Sequence, residues 1–400
     1  MKILIVHRYF KPDKTSCSEI LYQVANFLGQ KNFVDVLSSI PKNLNKKELD
    51  NFFFLNNNVN FNISRIPLYK EKEGLLIRII NSIKLSFRII KNCLKKNYDA
   101  VIVTSTPPIL CAFLTTLILK IQKKRMIYFC MDLNPELSLV LNDLKKNLFY
   151  KILMLIDNYS CKFADPVLVH SRDMEKTLRE RKDGQNYKIK ILNNFAIEQS
   201  NSNQSINKIS NNYFDDNKLK IIFAGNIGRF QNLDFFIQAL QRSNLNEKIQ
   251  LLIMGEGSNK KKLQDKLINK NLNIKFLDYQ SPTIAKRIIK EADLGLVSLY
   301  ENMYKYAYPS KIMTYLQQGV PLLCMIEKNS ELIEDMLLMN YGFWYNNNDT
   351  KSLSDLLINL TKDNSWKKKM KTNAINAFEK KFSSSLVLNR WSEILEKKQI

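Results

Sequence analysis

The chain alternates between short, wholly apolar runs and longer stretches in which apolar residues recur every three or four positions. Lys2–Val6, ending in His7-Arg8-Tyr9, has the continuous apolar character of a buried parallel strand. Ser16-Cys17-Ser18-Glu19 reads as a capping box, and Leu21, Val24, Ala25 and Leu28 follow on one helical stripe ending at Gly29. Phe33–Leu37, Ala100–Val103, Met126–Phe129 and Pro166–Val169 are further strands with helical patterns between them. Residues 198–218 form a polar, low-complexity tract that reads as a linker. The alternation then restarts with strands at Leu219–Ala224, Ile249–Met254, Ile274–Leu277 and Leu294–Leu299, and a helix from about Leu233 to Leu240. A last amphipathic helix, about Ser385 to Lys397, carries Leu386, Leu388, Trp391, Ile394 and Leu395 and requires a surface to pack on. This pattern predicts an α/β protein with two Rossmann-like parallel sheets and a ligand cleft at the carboxyl ends of their strands. The expected organisation is 1–197, a linker over 198–218, 219–380, and a terminal helix over 381–400.

Composition narrows the class. Hydrophobic residues at 45% and charged residues at 25% are ordinary globular usage, which excludes a mainly disordered chain. Sixty-one basic residues against 38 acidic ones give a net charge of +23, which favours polyanionic partners: nucleic acid, anionic lipid or phosphorylated ligands. The six cysteines form no C-x-x-C pair, and with two histidines a dedicated zinc site is not expected. The longest apolar segment, Ile109 to Ile121, is interrupted by Thr115, Thr116 and Lys120. It is shorter than the roughly 20 residues a bilayer requires. The expectation is a reduced, cytoplasmic protein without a spanning helix.

Several constellations carry candidate chemistry. Gly225-Asn226-Ile227-Gly228-Arg229 follows a strand and leads to a helix start, so it is either a phosphate-binding turn with a forked cation or an ordinary βα turn. Gly255 and Gly257 follow the next strand and allow close approach of a ligand, or make a plain turn. Pro309-Ser310-Lys311 suits a helix start; a cation there opposes the helix dipole unless it serves a bound anion. Asp132, with Glu136 four residues on, lies just beyond a strand's carboxyl end, where α/β folds bind ligands. His7 ends the first strand and can face the cleft; His170 ends another. Asp165 and Asp293 precede strands and read as structural caps. Residues 74–98 contain Arg78, Lys84, Arg88, Lys91, Lys95 and Lys96 with no acid before Asp99. Leu76, Ile80, Ile83, Phe87, Ile90 and Leu94 form a helical stripe expected to meet the core. Ile77, Ile79 and Ile89 are surplus apolar surface, which with the cations suits an anionic leaflet.

The order of Tyr9-Phe10-Lys11-Pro12, Ser105-Thr106-Pro107-Pro108, Asp132-Leu133-Asn134-Pro135-Glu136, Gly225 to Leu233, Ala292 to Ser298 and Pro309-Ser310-Lys311 resembles a family 4 glycosyltransferase over about residues 2 to 395. More narrowly, it is similar to the colanic-acid and O-antigen branch that includes the WbuB-type N-acetylfucosamine transferases. The resemblance implies a GT-B fold whose second domain holds the nucleotide-sugar and whose last helix crosses back to the first. It also implies metal-independent, retaining transfer with no cofactor, protein cations neutralising the leaving diphosphate. On this basis Gly225, Asn226, Gly228, Arg229, Gln231, Gly255, Gly257, Pro309, Ser310, Lys311 and Thr314 are donor-side candidates. Asp132 is the catalytic candidate, and His7, Thr15, Ser16 and Glu136 lie on the acceptor side. The family's Glu-x7-Glu pair falls on Tyr306 and Thr314, its Arg and Lys of the glycine turn on Asn226 and Gln231, and its first glycine pair on Thr15-Ser16-Cys17. The implied reaction moves an N-acetylated or deoxy hexose from a UDP-linked donor to a polyprenyl-diphosphate-linked glycan for O-antigen or capsule, at the anionic inner face of the plasma membrane. A UDP-sugar 2-epimerase on a similar fold is the alternative. A nucleic-acid-binding protein is a third reading, but the chain lacks aromatic-interleaved basic patches, so no nucleic-acid partner is expected.

Overall fold

Uninterrupted Val, Ile and Leu runs favour strands covered on both faces, and each of the nine runs expected to be a strand becomes one. The computed structural model describes residues 1–13, 15–41, 59–69, 75–107, 109–197, 213–268, 270–346 and 349–396. Most of the expected linker, 198–212, lies outside them. In the first half the strands are β1 (Lys2–Val6), β2 (Phe33–Ser39), β3 (Asn62–Ile66), β4 (Ala100–Thr104), β5 (Arg125–Phe129), β6 (Val167–Val169) and β7 (Ile189–Ile191). They are joined by α1 (Ser16–Gly29), α2 (Leu75–Lys95), α3 (Leu110–Ile121), α4 (Glu136–Val140), α5 (Leu148–Phe163) and α6 (Arg172–Arg179). The second half holds β8 (Leu219–Ala224), β9 (Ile249–Met254), β10 (Ile274–Leu277), β11 (Leu294–Ser298), β12 (Leu322–Met325) and β13 (Gly342–Tyr345). Its helices are α7 (Leu233–Ser243), α8 (Lys260–Leu267), α9 (Pro282–Glu291), α10 (Lys311–Gln317), α11 (Glu331–Met339), α12 (Thr350–Lys362) and α13 (Trp366–Lys381), followed by α14 (Ser384–Glu396).

The strands form two parallel sheets, ordered β3-β2-β1-β4-β5-β6-β7 and β10-β9-β8-β11-β12-β13. Two compact units result: Met1–Asn194 with Tyr306–Tyr308 and the chain from Ser385, and Phe195–Lys305 with Pro309–Ser384.

In the first unit Val101, Val103, Met126 and Tyr128 on one sheet face share a core with Leu85, Ile89 and Cys93 of α2, Cys111 and Leu119 of α3, and Cys161 of α5. Phe129 points to the opposite face and meets Trp391 of α14 edge to face, with ring centroids 5.3 Å apart. Arg125 donates to the carbonyls of Ile394 at 2.6 Å and Leu395 at 3.0 Å. The terminal helix thus has its partner surface in the first unit, and Trp391 is only 1% exposed. A buried network completes this unit. Arg181 binds both oxygens of Glu136 at 2.7 Å and Asp157 Oδ2 at 2.6 Å, while Tyr128 donates to Asp157 Oδ1 at 2.9 Å.

Two local readings change. Thr15, not Ser16, caps α1: its Oγ1 accepts the Ser18 N–H at 3.2 Å, and Glu19 pairs instead with Lys11 at 3.1 Å. On α2 the expected core stripe is the outer face. Leu76, Ile80, Ile83, Phe87 and Leu94 are exposed, whereas Leu85, Ile89 and Cys93 are buried with Ser82 and Ser86. Both serines go inside because each hydroxyl donates back to its own helix, Ser82 to Arg78 O at 2.9 Å and Ser86 to Ser82 O at 2.7 Å. Small, internally satisfied side chains fill that face, so periodicity in apolar residues alone marked the wrong side. No helix among the described residues is long and apolar enough to cross a membrane.

Candidate functional site

The donor-side candidates gather where β8 and β9 end. Gly225 leaves β8 at φ +128°, and its N–H is taken by Met254 O at 2.9 Å. Gly255 leaves β9 at φ +141°, and a Cβ there would lie 2.0 Å from the Gly225 carbonyl oxygen. A Cβ on Gly257 would lie 2.3 Å from Ile227 O. The turns are also laced together, Ile227 N–H to Glu256 O at 2.8 Å and Asn259 N–H to Ile227 O at 3.0 Å. Gly255 and Gly257 therefore allow one turn to pack on the other, as the plain-turn reading of this stretch expects. A helix also does not follow the glycine turn directly. Arg229–Gln231 forms a 3-10 turn, Asn232 adopts φ 44°, and only then does α7 begin. Asn226 is exposed and Gly228 buried in this turn.

Lys311 opens α10, with exposed Ser310 as its cap, Pro309 just before it and Thr314 half-buried beyond it. Its Nζ donates to Gln231 Oε1 at 2.8 Å and lies 3.4 Å from the centroid of the Phe223 ring. Its Cε is 3.8 Å from where a Cβ on Gly225 would stand, so the ammonium lines that turn. It has no carboxylate partner among the described residues, and burial holds its pKa well below the usual lysine range. Tyr315 fixes α10 in place. Its hydroxyl accepts the Ala224 N–H at 2.7 Å, and its ring occupies the space over Gly295, 2.4 Å from where a Cβ would stand. Phe223, Tyr315 and the Gln231–Lys311 bond escaped the sequence reading. The available signals were the aromatic one turn after Lys311 and a glycine inside a buried strand.

In the first unit Asp132 lies just past β5. Ser105 Oγ accepts the N–H groups of Met131 at 3.1 Å and Asp132 at 3.3 Å, and Asp132 pairs in an antiparallel bridge with Ala307. Loss of water pushes its carboxyl pKa up to about 6. Glu136 is different. Both its oxygens are bound by buried Arg181, which makes it a structural anion rather than an acceptor ligand. His7 is buried with Nδ1 2.7 Å from Thr104 Oγ1, and burial lowers its pKa to about 3, so it is neutral throughout the physiological range. His170 is likewise buried, held between Leu192 O at 3.1 Å and Asn194 at 3.3 Å, and lowered to about 4. Thr15 is engaged as the α1 cap and Ser16 opens that helix. Asp293 accepts the Lys220 N–H at 3.0 Å and Asp165 pairs with Lys188 at 2.8 Å, the structural roles expected of them.

Residues 205–377 match the family described as Glycosyl transferases group 1. The uncharacterized glycosyltransferase MJ1059 of Methanocaldococcus jannaschii is 25% identical over 377 residues, covering 83% of this chain and 88% of that protein. The putative colanic acid biosynthesis glycosyl transferase WcaI of Escherichia coli K12 is 30% identical over 118 residues, 29% of each chain. The crystal structure of Anabaena Alr3699/HepE in complex with UDP superposes with a TM-score of 0.73 at 15% identity, over 100% of both chains. The fold is GT-B. The family match and the curated relatives support a glycosyltransferase of the group 1 type.

Proposed function

We propose that the protein is a metal-independent, retaining family 4 glycosyltransferase. It moves an N-acetylated or deoxy hexose from a UDP-linked donor to a polyprenyl-diphosphate-linked glycan in O-antigen or capsule synthesis. The observation that carries this reading is the Lys311 ammonium, set against Phe223 and Gln231 at the Gly225 turn without a carboxylate. A desolvated cation is unfavourable alone, and a diphosphate supplies the missing charge. As the bond from the anomeric carbon to the β-phosphate oxygen breaks, negative charge collects on that oxygen. Lys311 stabilises it, and Arg229, whose side chain lies outside the described residues, is the second cation that the sequence supplies there, while Asn226, Gln231, Ser310 and Thr314 orient the donor. Asp132 takes the proton of the attacking hydroxyl, a role its raised pKa suits. UDP as the nucleotide is favoured by the Anabaena complex, and surface polysaccharide as the product by the WcaI likeness. Asn226 and Gln231 favour the WbuB-type branch. The cations Arg78, Lys84, Arg88, Lys91, Lys95 and Lys96 would hold the enzyme at the anionic inner leaflet, although Lys96 also pairs with Asp35 at 2.7 Å.

A thermal-shift panel of UDP-, GDP-, dTDP- and CMP-sugars tests the reading. The cognate donor at 100 times its Kd should stabilise by about 2.7 kcal/mol. Lys311→Ala should cut that shift to about half or less at the same donor concentration and lower kcat/KM at least about tenfold. A wild-type protein that responds to none of the four overturns the assignment.

A further inference from the structure

We propose that α2, α3 and α5 together form a surface that inserts into one leaflet of an anionic membrane. This deepens, and for its purpose rests on, the reading of a lipid-linked acceptor. The three helices are one layer of the first unit. Phe113 of α3 meets Tyr159 of α5 with ring centroids 5.7 Å apart, Lys120 reaches the Tyr159 hydroxyl at 3.1 Å, and Gln122 reaches Cys93 O of α2 at 3.4 Å. Their inner faces share a core, yet their outer faces are not polar. Leu76, Phe87 and Leu94 of α2, Ile121 of α3, and Leu148 and Leu155 of α5 are each at least 62% exposed. Among the described residues only two other large apolar side chains, Ile268 and Leu338, are as exposed. Six of eight therefore fall on three adjacent helices, a clustering that scattered surface apolar residues do not show.

Charge identifies what covers this face. The three helices carry eight Lys and Arg residues and one acid, Asp157, which is buried against Arg181. A second copy of a chain with net charge +23 would bring like charges together. The terminal helix α14 is committed to the opposite sheet face through Phe129. Lys162 pairs with Asp183 at 3.5 Å, but the cations of these helices remain in large excess over acids. An apolar surface set among such cations matches the one environment that is anionic at its surface and apolar a few ångströms below. Attachment then depends on insertion as well as on charge attraction.

The test uses the full chain with neither donor nor acceptor present. Co-sedimentation is measured with phosphatidylglycerol–phosphatidylethanolamine vesicles and with phosphatidylcholine vesicles, at moderate and at 1 M salt. Binding is expected on the anionic vesicles, weakened but not abolished by 1 M salt, which shortens screening to about 3 Å. Leu148→Ser/Leu155→Ser and Ile121→Ser should each lower partitioning, the double variant at least about tenfold. Lys91→Gln/Lys95→Gln should remove only the salt-sensitive part, and Leu337→Ser/Leu338→Ser on α11 should change nothing. A Leu155→Trp variant, read by quenching from brominated acyl chains, tests insertion without truncating a side chain. Wild-type partitioning in the α3 and α5 serine variants, absence of quenching, or a solution dimer that those variants dissolve would each overturn the proposal. Vesicle binding that behaves as expected while the nucleotide-sugar panel fails would leave this surface standing and remove the transferase reading; the reverse outcome would do the opposite.

Discussion

Lys311 and Asp132 are both pushed by burial toward their neutral forms, and pH separates what each contributes. For Asp132 the folded value of about 6 lies above the ordinary 3.8, so across that window the folded chain keeps a proton that the unfolded chain releases. The ionised carboxylate therefore destabilises the fold above about pH 6, and the penalty disappears as pH falls below 4. Asp132→Asn should melt higher than wild type at pH 8, by about 1–3 kcal/mol, with the gap closing by pH 4. Its kcat/KM should nevertheless fall by about 10²–10⁴ if the carboxylate is the base. A wild-type kcat/KM profile with an acid limb near pH 6 supports this, since His7, at about 3, stays neutral across that range. An Asn variant with unchanged melting and full turnover would leave Asp132 a loop residue. Lys311 runs the other way. Its lowered value means the folded chain binds fewer protons than the unfolded one, and that penalty fades as pH rises toward the unfolded lysine value. A diphosphate restores the charged form, so donor binding should take up protons. Calorimetry of UDP-sugar binding in two buffers of different ionisation enthalpy would detect the uptake, and Lys311→Ala should abolish it.

At the scale of elements, the two βα turns of the second unit hold each other. Ala at position 255 would need φ +141° and would place a Cβ 2.0 Å from backbone oxygen. At Gly228, by contrast, φ is −92° and the nearest atom, at 3.1 Å, is the side-chain amide of the exposed Asn226. Gly255→Ala should destabilise by at least about 2 kcal/mol and Gly228→Ala by less than about 1, read by denaturant unfolding. A reversed order would mean the turns do not bear on one another. This part of the site was half legible in the sequence. The strand ends, both glycine turns and Lys311 could be located because continuous apolar runs and helix breakers are local signals. The partner of each glycine is set by the packing of adjacent strands, which no local pattern carries. The same limit explains α2, where Ser82 and Ser86 occupy the buried face because their hydroxyls are satisfied within the helix. It also explains β3 and β7, edge strands whose residues Asn62–Ile66 and Ile189–Ile191 are mostly half-buried and mix polar with apolar side chains. Glu136 looked like a ligand because Arg181, its counter-ion, is 45 positions away.

At the scale of the whole chain, the first unit is assembled from stretches at both ends of the sequence. Trp391 closes over Phe129, itself stacked edge to face on His170 with centroids 5.2 Å apart. Arg125 satisfies two carbonyls at the end of α14, groups that a helix terminus otherwise leaves without partners. A fragment ending at residue 197 lacks all of this. It would expose Phe129 and leave a guanidinium without two of its acceptors, so it should unfold at lower denaturant than the first unit does within the full chain. Trp391→Ala in the intact protein isolates the packing part of that loss, and about 3–5 kcal/mol is expected from removing a buried tryptophan. Joining residues 384–400 to the fragment by a flexible linker should recover most of the difference. Recovery that is lost again when the joined helix carries Trp391→Ala ties the effect to the Phe129 contact. A bare 1–197 fragment that unfolds at the same midpoint as the intact first unit would show that the terminal helix rests on a unit already complete without it.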